Sequence, residues 1–387
     1  MKYVILLFFG FWSFNAGSAE PAQVSPQQPS PKGLMDEFLG EITALKDLMM
    51  SEEKFTDKKN ELEISRHLKR MSEVSKKVAH NPAIDAPVFR PSAQVLQDHI
   101  GETERVFRSG NKSYARWMLN STLSICMSCH TQVTTGSREL WSTALVDNYK
   151  SEFDQAEFLF TIRNFSKAHD LYKKTIVGYP KNKLPADKLE TALEREVSYF
   201  ARINRDATGG INTLTGYQKV KSLPPYLRAD LKSWINQFKK WKAEDIFELK
   251  DPTEDQVKIF IQKHLEKPSH DQNADNPNVV NDLYASGILY EFLSRHPKTN
   301  LTPDILYWLA VCDRGVNNNF FFSLANMYLK DCITQYPKTQ AARKCYKEYE
   351  ESTIASYSGS GGTHLPDDAK EELSHLKSMI DDKKSGD

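Results

Sequence analysis

The sequence predicts an all-α protein in which an antiparallel four-helix bundle is followed by an array of repeated helical hairpins. Apolar residues recur at the three- and four-residue spacing of amphipathic helices from residue 33 onwards. Beyond residue 136, an alanine is followed by a proline after twelve residues on three occasions, and such periodicity is typical of helical repeats. We therefore expect a bundle over residues 33–135 and a repeat array over residues 136–355.

The N-terminus has the anatomy of a secretory signal peptide. Met1-Lys2 is followed by an apolar run from Val4 to Phe14 and then by small residues up to Ala19. The alternatives are a buried N-terminal strand or an uncleaved anchor, although the run is short for a membrane span. No later apolar run is long enough to cross a membrane. We therefore expect a signal peptide over residues 1–19, and a periplasmic or secreted protein without a membrane span after cleavage.

The composition is that of a folded protein. Of 387 residues, 40% are hydrophobic and 26% are charged, which excludes a chain that is disordered throughout. The 51 basic residues equal the 51 acidic residues, and without a basic excess we expect no nucleic-acid partner. Residues 20–32 are rich in proline, glutamine and serine and predict a flexible leader.

Four amphipathic segments form the predicted bundle. Each is bounded by polar, glycine or proline residues, and the joints between them are short. The predicted helices run from about Leu34 to Met50, from Ser51 to Val78, from Pro91 to just before Ser109, and from Lys112 to Thr131.

The predicted array resembles the tetratricopeptide repeat. The three alanine–proline pairs are Ala168–Pro180, Ala285–Pro297 and Ala325–Pro337, and a large residue follows each alanine by four: Tyr172, Leu289 and Leu329. In that repeat, small residues lie where two helices touch and proline ends the second helix. Residues 356–387 predict a linker, with YSGSGGT at 357–363, and a final charged helix from Pro366 to about Ile380 that either docks loosely or frays.

The most specific motif is Cys126-Met127-Ser128-Cys129-His130. Two thiols three residues apart on a helix can both join the vinyl groups of one haem, and the following histidine then ligates the iron. A thioredoxin-like redox pair would need a βαβ context, and a structural zinc site would need four ligands. The motif therefore predicts one covalent haem c, attached through Cys126 and Cys129 with His130 as the axial iron ligand.

Three other cysteines, Cys312, Cys332 and Cys345, stand singly. Cys332 and Cys345 lie on two helices around Pro337, at unequal distances from the turn. Packed helix axes are about 8–10 Å apart, whereas a disulfide needs Cα atoms within roughly 7 Å. A disulfide between them is possible, but we expect each cysteine to be a small buried apolar residue.

Residues 33–135 resemble the cytochrome c′ and cytochrome c-556 group, which are four-helix bundles with the haem motif near the end of the last helix. The matching residues are Leu39-Gly40, the turn Ser109-Gly110-Asn111 and the haem motif itself. In that group an aromatic and then a basic residue usually follow the motif, whereas Thr131-Gln132-Val133-Thr134 stands here.

The ligand opposite His130 is open among several residues. In an up-and-down bundle, Met35, Met71, His80 and His99 come towards the same end as the motif. The resemblance implies that the first helix supplies this residue, which points to Met35 or Leu39. Ligation by Met35 would make the iron six-coordinate and favour electron transfer. Leu39 would leave the iron five-coordinate and able to bind small gases.

These observations predict an electron carrier rather than an enzyme. The chain contains no G-x-S-x-G, H-E-x-x-H or Walker-type motif. The leading hypothesis is a monohaem c-type cytochrome whose array docks a protein partner, since repeat arrays usually bind peptides or proteins. The alternatives are a five-coordinate gas-binding or sensing protein, and a binding module with a structural haem. The sequence leaves the oligomeric state open.

Overall fold

The protein is all-α, as predicted. The computed structural model describes residues 29–133, 146, 149–243, 251–266, 278–316 and 320–381, so the predicted signal peptide and most of the leader lie outside the described residues. The helices are α1 (Pro31–Met49), α2 (Glu52–Thr56), α3 (Glu61–Ala79), α4 (Arg90–Arg108), α5 (Lys112–His130), α6 (Glu152–Thr161), α7 (Phe165–Val177), α8 (Ala186–Ser198), α9 (Ala207–Tyr217), α10 (Pro225–Ala243), α11 (Glu254–His264), α12 (Val279–Arg295), α13 (Thr302–Val316), α14 (Ala325–Gln335), α15 (Gln340–Ser356) and α16 (Asp367–Asp381). A 3₁₀ turn spans Lys58–Asn60, and a π-helical turn, Tyr199–Ile203, follows α8. None of the described helices is both long and apolar enough to span a membrane.

The four long N-terminal helices pack side by side in chain order, α1 on α3, α3 on α4, and α4 on α5. Asn81 Nδ2 donates to the carbonyl oxygen of Pro29 at 3.0 Å, which ties the end of α3 to the start of α1. Arg116 Nε donates to the carbonyl oxygen of Met49 at 2.7 Å, which ties the start of α5 to the end of α1. The helices are therefore antiparallel, and the last turn of α5 lies at the end of the group where α1 begins.

The prediction of one continuous helix from Ser51 to Val78 is wrong, because the helix is interrupted at Asp57. The backbone of Asp57 is extended (φ −62°, ψ 127°), and its carboxylate accepts from the amide of Lys59 at 2.9 Å. Asn60 Nδ2 donates to the carbonyl oxygen of Lys54 at 2.8 Å. Aspartate and asparagine side chains that bind nearby backbone groups compete with the helix. The result is a short helix, a 3₁₀ turn and then α3.

The C-terminal helices pack as successive neighbours, α6 with α7, α12 with α13, α13 with α14, and α14 with α15. The three alanines of the predicted repeat are buried: Ala168, Ala285 and Ala325. Their helices, α7, α12 and α14, end two or three residues before the prolines, since proline cannot continue a helix. The alanine–proline spacing therefore locates the buried small residues and the ends of these helices.

The C-terminal residues are more ordered than predicted. Within the expected linker, strand β1 (Ser358–Gly359) pairs antiparallel with strand β2 (Gly362–Thr363). Helix α16 does not dock loosely, because it packs on α14 and α15 and buries Leu376 and Ile380. Glu372 of α16 also accepts a hydrogen bond from the hydroxyl of Tyr349 at 2.9 Å.

The expectation that Cys332 and Cys345 are unpaired is wrong, because a disulfide joins them. Their Cα atoms are 6.4 Å apart, within the range that a disulfide spans. Helices α14 and α15 leave the turn around Pro337 close enough for the sulfur atoms to meet across the hairpin. Cys312 is buried and unpaired, as expected.

We expect the double variant Cys332→Ala/Cys345→Ala to lose about 3 kcal/mol in its free energy of unfolding. The disulfide closes a loop between residues 13 apart, and a loop of about this length gives a stabilisation of that order through the unfolded chain. Urea denaturation measures it. A reductant should destabilise the parent protein by a similar amount and leave the double variant unchanged. A parent protein indifferent to reductant would contradict the prediction.

Candidate haem-attachment site

The predicted haem motif forms the last turn of α5, and its three chemical groups share one side of the helix. At about 100° per residue, Cys126, Cys129 and His130 fall within an arc of about 100°. This arc continues the buried stripe of Ala115, Leu119 and Thr122, which faces the interior of the N-terminal helices. At the motif the stripe becomes partly exposed. The two thiols and the imidazole therefore lie at a partly open end of the apolar core.

The two cysteines are free thiols in the described structure. Burial raises the pKa of Cys126 to about 12, and the neighbouring Cys129 adds to this rise. Burial also raises the pKa of Cys129 to about 11, against the opposing effects of a hydrogen bond with Ser92 and the charge of Arg163. Catalytic redox cysteines have lowered pKa values because they need the thiolate. The environment of this pair is the opposite, which disfavours the redox-pair alternative.

His130 is oriented by a backbone carbonyl of another helix. Its Nδ1 donates to the carbonyl oxygen of Thr161, the last residue of α6, at 2.5 Å. Burial lowers the pKa of His130, opposed by the bond to Thr161 and assisted by the charge of Arg163. The lowered pKa favours the neutral ring, and the bond to Thr161 places its proton on Nδ1, which leaves a lone pair on Nε2. This is the tautomer that a metal-ligating histidine requires.

The side of α5 opposite the three motif groups is covered by the C-terminal helices. Met127, Ser128, Thr131 and Gln132 are all buried there. Ser128 Oγ donates to the carbonyl oxygen of Phe322 at 2.7 Å. Gln132 Nε2 donates to Ser92 Oγ at 2.7 Å and to Tyr328 Oη at 2.9 Å. Thr131 Oγ1 accepts from Arg202 Nη1 at 3.4 Å. The end of α5 is therefore held between the N-terminal helices and α6, α14 and the π-helical turn.

Of the candidates for the opposite iron ligand, Met35 and Leu39 occupy the most suitable positions. Both are partly buried on the first turns of α1, at the same end of the N-terminal helices as the motif. Met71 is fully buried in the middle of α3. These positions leave Met35 and Leu39 as predictions for the side facing His130.

The two histidine candidates are already engaged elsewhere. His80 is exposed, and its Nδ1 donates to the carbonyl oxygen of Lys76 at 2.7 Å. His99 Nε2 donates to the carbonyl oxygen of Met118 at 2.8 Å. Because Met118 precedes Cys126 by eight residues, His99 lies about 12 Å along the helix from the motif. The structure therefore does not bring His99 to the motif.

Sequence reasoning missed three residues of the site, Ser92, Thr161 and Arg163. Ser92 contacts Cys129 from the first turn of α4. Arg163 follows α6 and its Nη2 donates to the carbonyl oxygen of Val133 at 2.6 Å. These contacts join segments that are distant in sequence, and no local motif marks them. Only the packing of the helices reveals them.

In the part of the chain that the structure describes, no group of three or more histidine, cysteine, aspartate or glutamate side chains could hold a metal ion. A haem iron needs fewer protein ligands, because the porphyrin supplies four nitrogens. Comparison with known proteins gave no matching family, no matching curated protein and no matching solved structure.

Proposed function

We propose that the protein is an exported monohaem c-type cytochrome that transfers electrons to or from a protein partner. The observation that carries the proposal is the arrangement of Cys126, Cys129 and His130. Two free thiols and a correctly protonated imidazole share one partly exposed side of a helix end. Covalent haem attachment needs that combination of groups.

The residues present fit a covalent haem. Cys126 and Cys129 would form the two thioether bonds, and His130 would ligate the iron through Nε2. When bound, haem supplies one-electron redox chemistry at its iron. The chain's own residues orient the imidazole through Thr161 and exclude water from one side of α5 through Met127 and its buried neighbours.

The wider architecture supports the same proposal. We propose that α1, α3, α4 and α5 form the haem bundle, and that the C-terminal hairpins are related to tetratricopeptide repeats. The disulfide Cys332–Cys345 suits an oxidising compartment, as expected for a periplasmic or secreted protein. Because the end of α5 occupies part of the C-terminal helical surface, a partner would dock on the surface that remains.

The decisive experiment is export of the full chain in a host that attaches haem, followed by a pyridine haemochrome spectrum and an intact mass. We expect one haem per chain, a c-type spectrum and a mass that includes the porphyrin but lacks the signal peptide. A colourless protein with the mass of the bare polypeptide would overturn the proposal.

A second candidate function is a five-coordinate haem protein that binds or senses small gases. The observation favouring it is that Leu39 accompanies Met35 on the partly buried start of α1, so that either could face the iron. A leucine cannot ligate iron and would leave the sixth position open.

Met35→Leu separates the two candidates. If Met35 is the ligand, its loss should convert a low-spin spectrum that ignores carbon monoxide into a high-spin spectrum that responds to it. Met50→Leu is the matched control, because Met50 is highly exposed just beyond α1. A Met35→Leu protein with the parental low-spin spectrum would reject Met35 as the ligand. A parent protein that binds carbon monoxide would favour the gas binder.

A further inference from the structure

The turn between α6 and α7 has an unusual backbone at Arg163. Its φ is +67°, a left-handed conformation that non-glycine residues adopt infrequently. Two backbone hydrogen bonds hold the turn. The amide of Asn164 donates to the carbonyl oxygen of Leu159 at 2.8 Å, and the amide of Arg163 donates to the carbonyl oxygen of Phe160 at 3.1 Å. Strained backbone of this kind often belongs to a functional site.

The same turn reaches the motif at two points. Thr161 accepts the hydrogen bond from His130, and Arg163 Nη2 donates to the carbonyl oxygen of Val133. The guanidinium thus contacts a residue three positions beyond the motif, and Arg163 itself lies two positions after Thr161, the acceptor of His130.

Another guanidinium near the end of α5 belongs to Arg202. Arg202 is buried and faces the carboxyl groups of Asp282 and Asp313, whose pKa values it lowers against their burial. Arg163 is held beside the end of the motif by its hydrogen bond to the carbonyl oxygen of Val133. Arg163 is therefore a fixed positive charge that the turn between α6 and α7 brings to the motif.

We infer that Arg163 is a positioning residue of the haem site that raises the reduction potential of the iron. The inference rests on the proposed function. Reduction removes one positive charge from the iron, so a fixed cation nearby stabilises the reduced state relative to the oxidised state. The turn Thr161–Arg163 thereby gives the C-terminal helices two effects on one centre: they orient His130 and they set the local charge.

The test compares Arg163→Asn with Arg163→Lys in the full, haem-loaded chain. Asparagine tolerates the left-handed backbone, so Arg163→Asn removes the charge at little cost in folding. Arg163→Lys keeps the charge. Lys183→Asn is the matched control, because Lys183 is an exposed cation with φ +54° in another interhelical turn. The measurement is a spectroscopic redox titration at low ionic strength.

We expect Arg163→Asn to lower the equilibrium constant for one-electron reduction by roughly threefold to tenfold, as for partly screened unit charges. Arg163→Lys and Lys183→Asn should stay close to the parent. A coloured Arg163→Asn protein with the parental potential, or an Arg163→Lys protein shifted as far as Arg163→Asn, would overturn the inference alone. A parent protein without haem would overturn both the inference and the proposed function.

Discussion

Replacing Cys126 and Cys129 together with alanine is expected to abolish covalent haem attachment. Both thiols are free in the folded chain and share one side of α5 with His130. The substitution therefore removes no disulfide or other existing covalent bond. Without them, no thioether can form, and any haem that binds through His130 should be removed by acidified organic solvent. The measurements are haem staining after denaturing electrophoresis and intact mass.

Single variants and a ligand variant sharpen this prediction. Cys126→Ala and Cys129→Ala should each retain at most one thioether, which shifts the haemochrome band because one vinyl group stays unsaturated. His130→Ala should keep the covalent mass but lose the axial ligand, and its absorption spectrum should change. Retention of covalent haem by the double alanine variant would place the attachment elsewhere.

Replacing Arg195 with methionine should cost about 3–5 kcal/mol in the free energy of unfolding. Arg195 is 5% exposed, and its Nε lies 3.2 Å from Glu157 Oε1. It also donates to the carbonyl oxygen of Phe320. Removing Arg195 leaves the largely buried carboxylate of Glu157 without its cation, and losses of about this size are usual when one partner of a buried ion pair is removed. Among the described residues, the hydroxyl of Tyr172 also donates a hydrogen bond to the carboxylate of Glu157.

A double-mutant cycle tests the origin of that loss. Adding Glu157→Gln to Arg195→Met removes the orphaned charge, so the double variant should recover part of the stability. Arg105→Met is the surface control, because Arg105 pairs with Glu102 in solvent and such pairs contribute about 1 kcal/mol or less. Urea unfolding measures the parent, the two single variants of the cycle, the double variant and Arg105→Met. Equal losses for Arg195→Met and Arg105→Met would contradict the assignment of a buried pair.

Helix positions could be predicted from the sequence wherever a single buried helix face sets the spacing of the apolar residues. In α3 the apolar residues Ile64, Leu68, Met71 and Val74 recur three or four positions apart and are fully buried, because a helical period in sequence becomes one side of the helix in space. The break at Asp57 was missed, since it depends on side-chain bonds to backbone groups that compete with an otherwise acceptable helix.

The residues of the candidate site also fall into those that local sequence predicts and those that only helix packing brings in. Cys126, Cys129 and His130 lie within five consecutive residues, so their position on one side of α5 follows from helical geometry alone. Thr161 and Arg163 reach them from 30 or so residues away, and that meeting depends on how α6 packs. The disulfide Cys332–Cys345 was misjudged for a related reason, because the Cα separation of 6.4 Å reflects the closeness of two helices at their turn.

The contact between Ser128 and Phe322 also has a consequence for biosynthesis. These residues are 194 positions apart, and chains fold from the N-terminus as they emerge. Helix α5 can therefore be complete while the segment that later covers it has yet to arrive. Enzymatic modification of the thiols, on the other side of α5, could therefore precede the fixing of this helix end by the C-terminal helices, so the order in which the two halves mature is built into the connectivity.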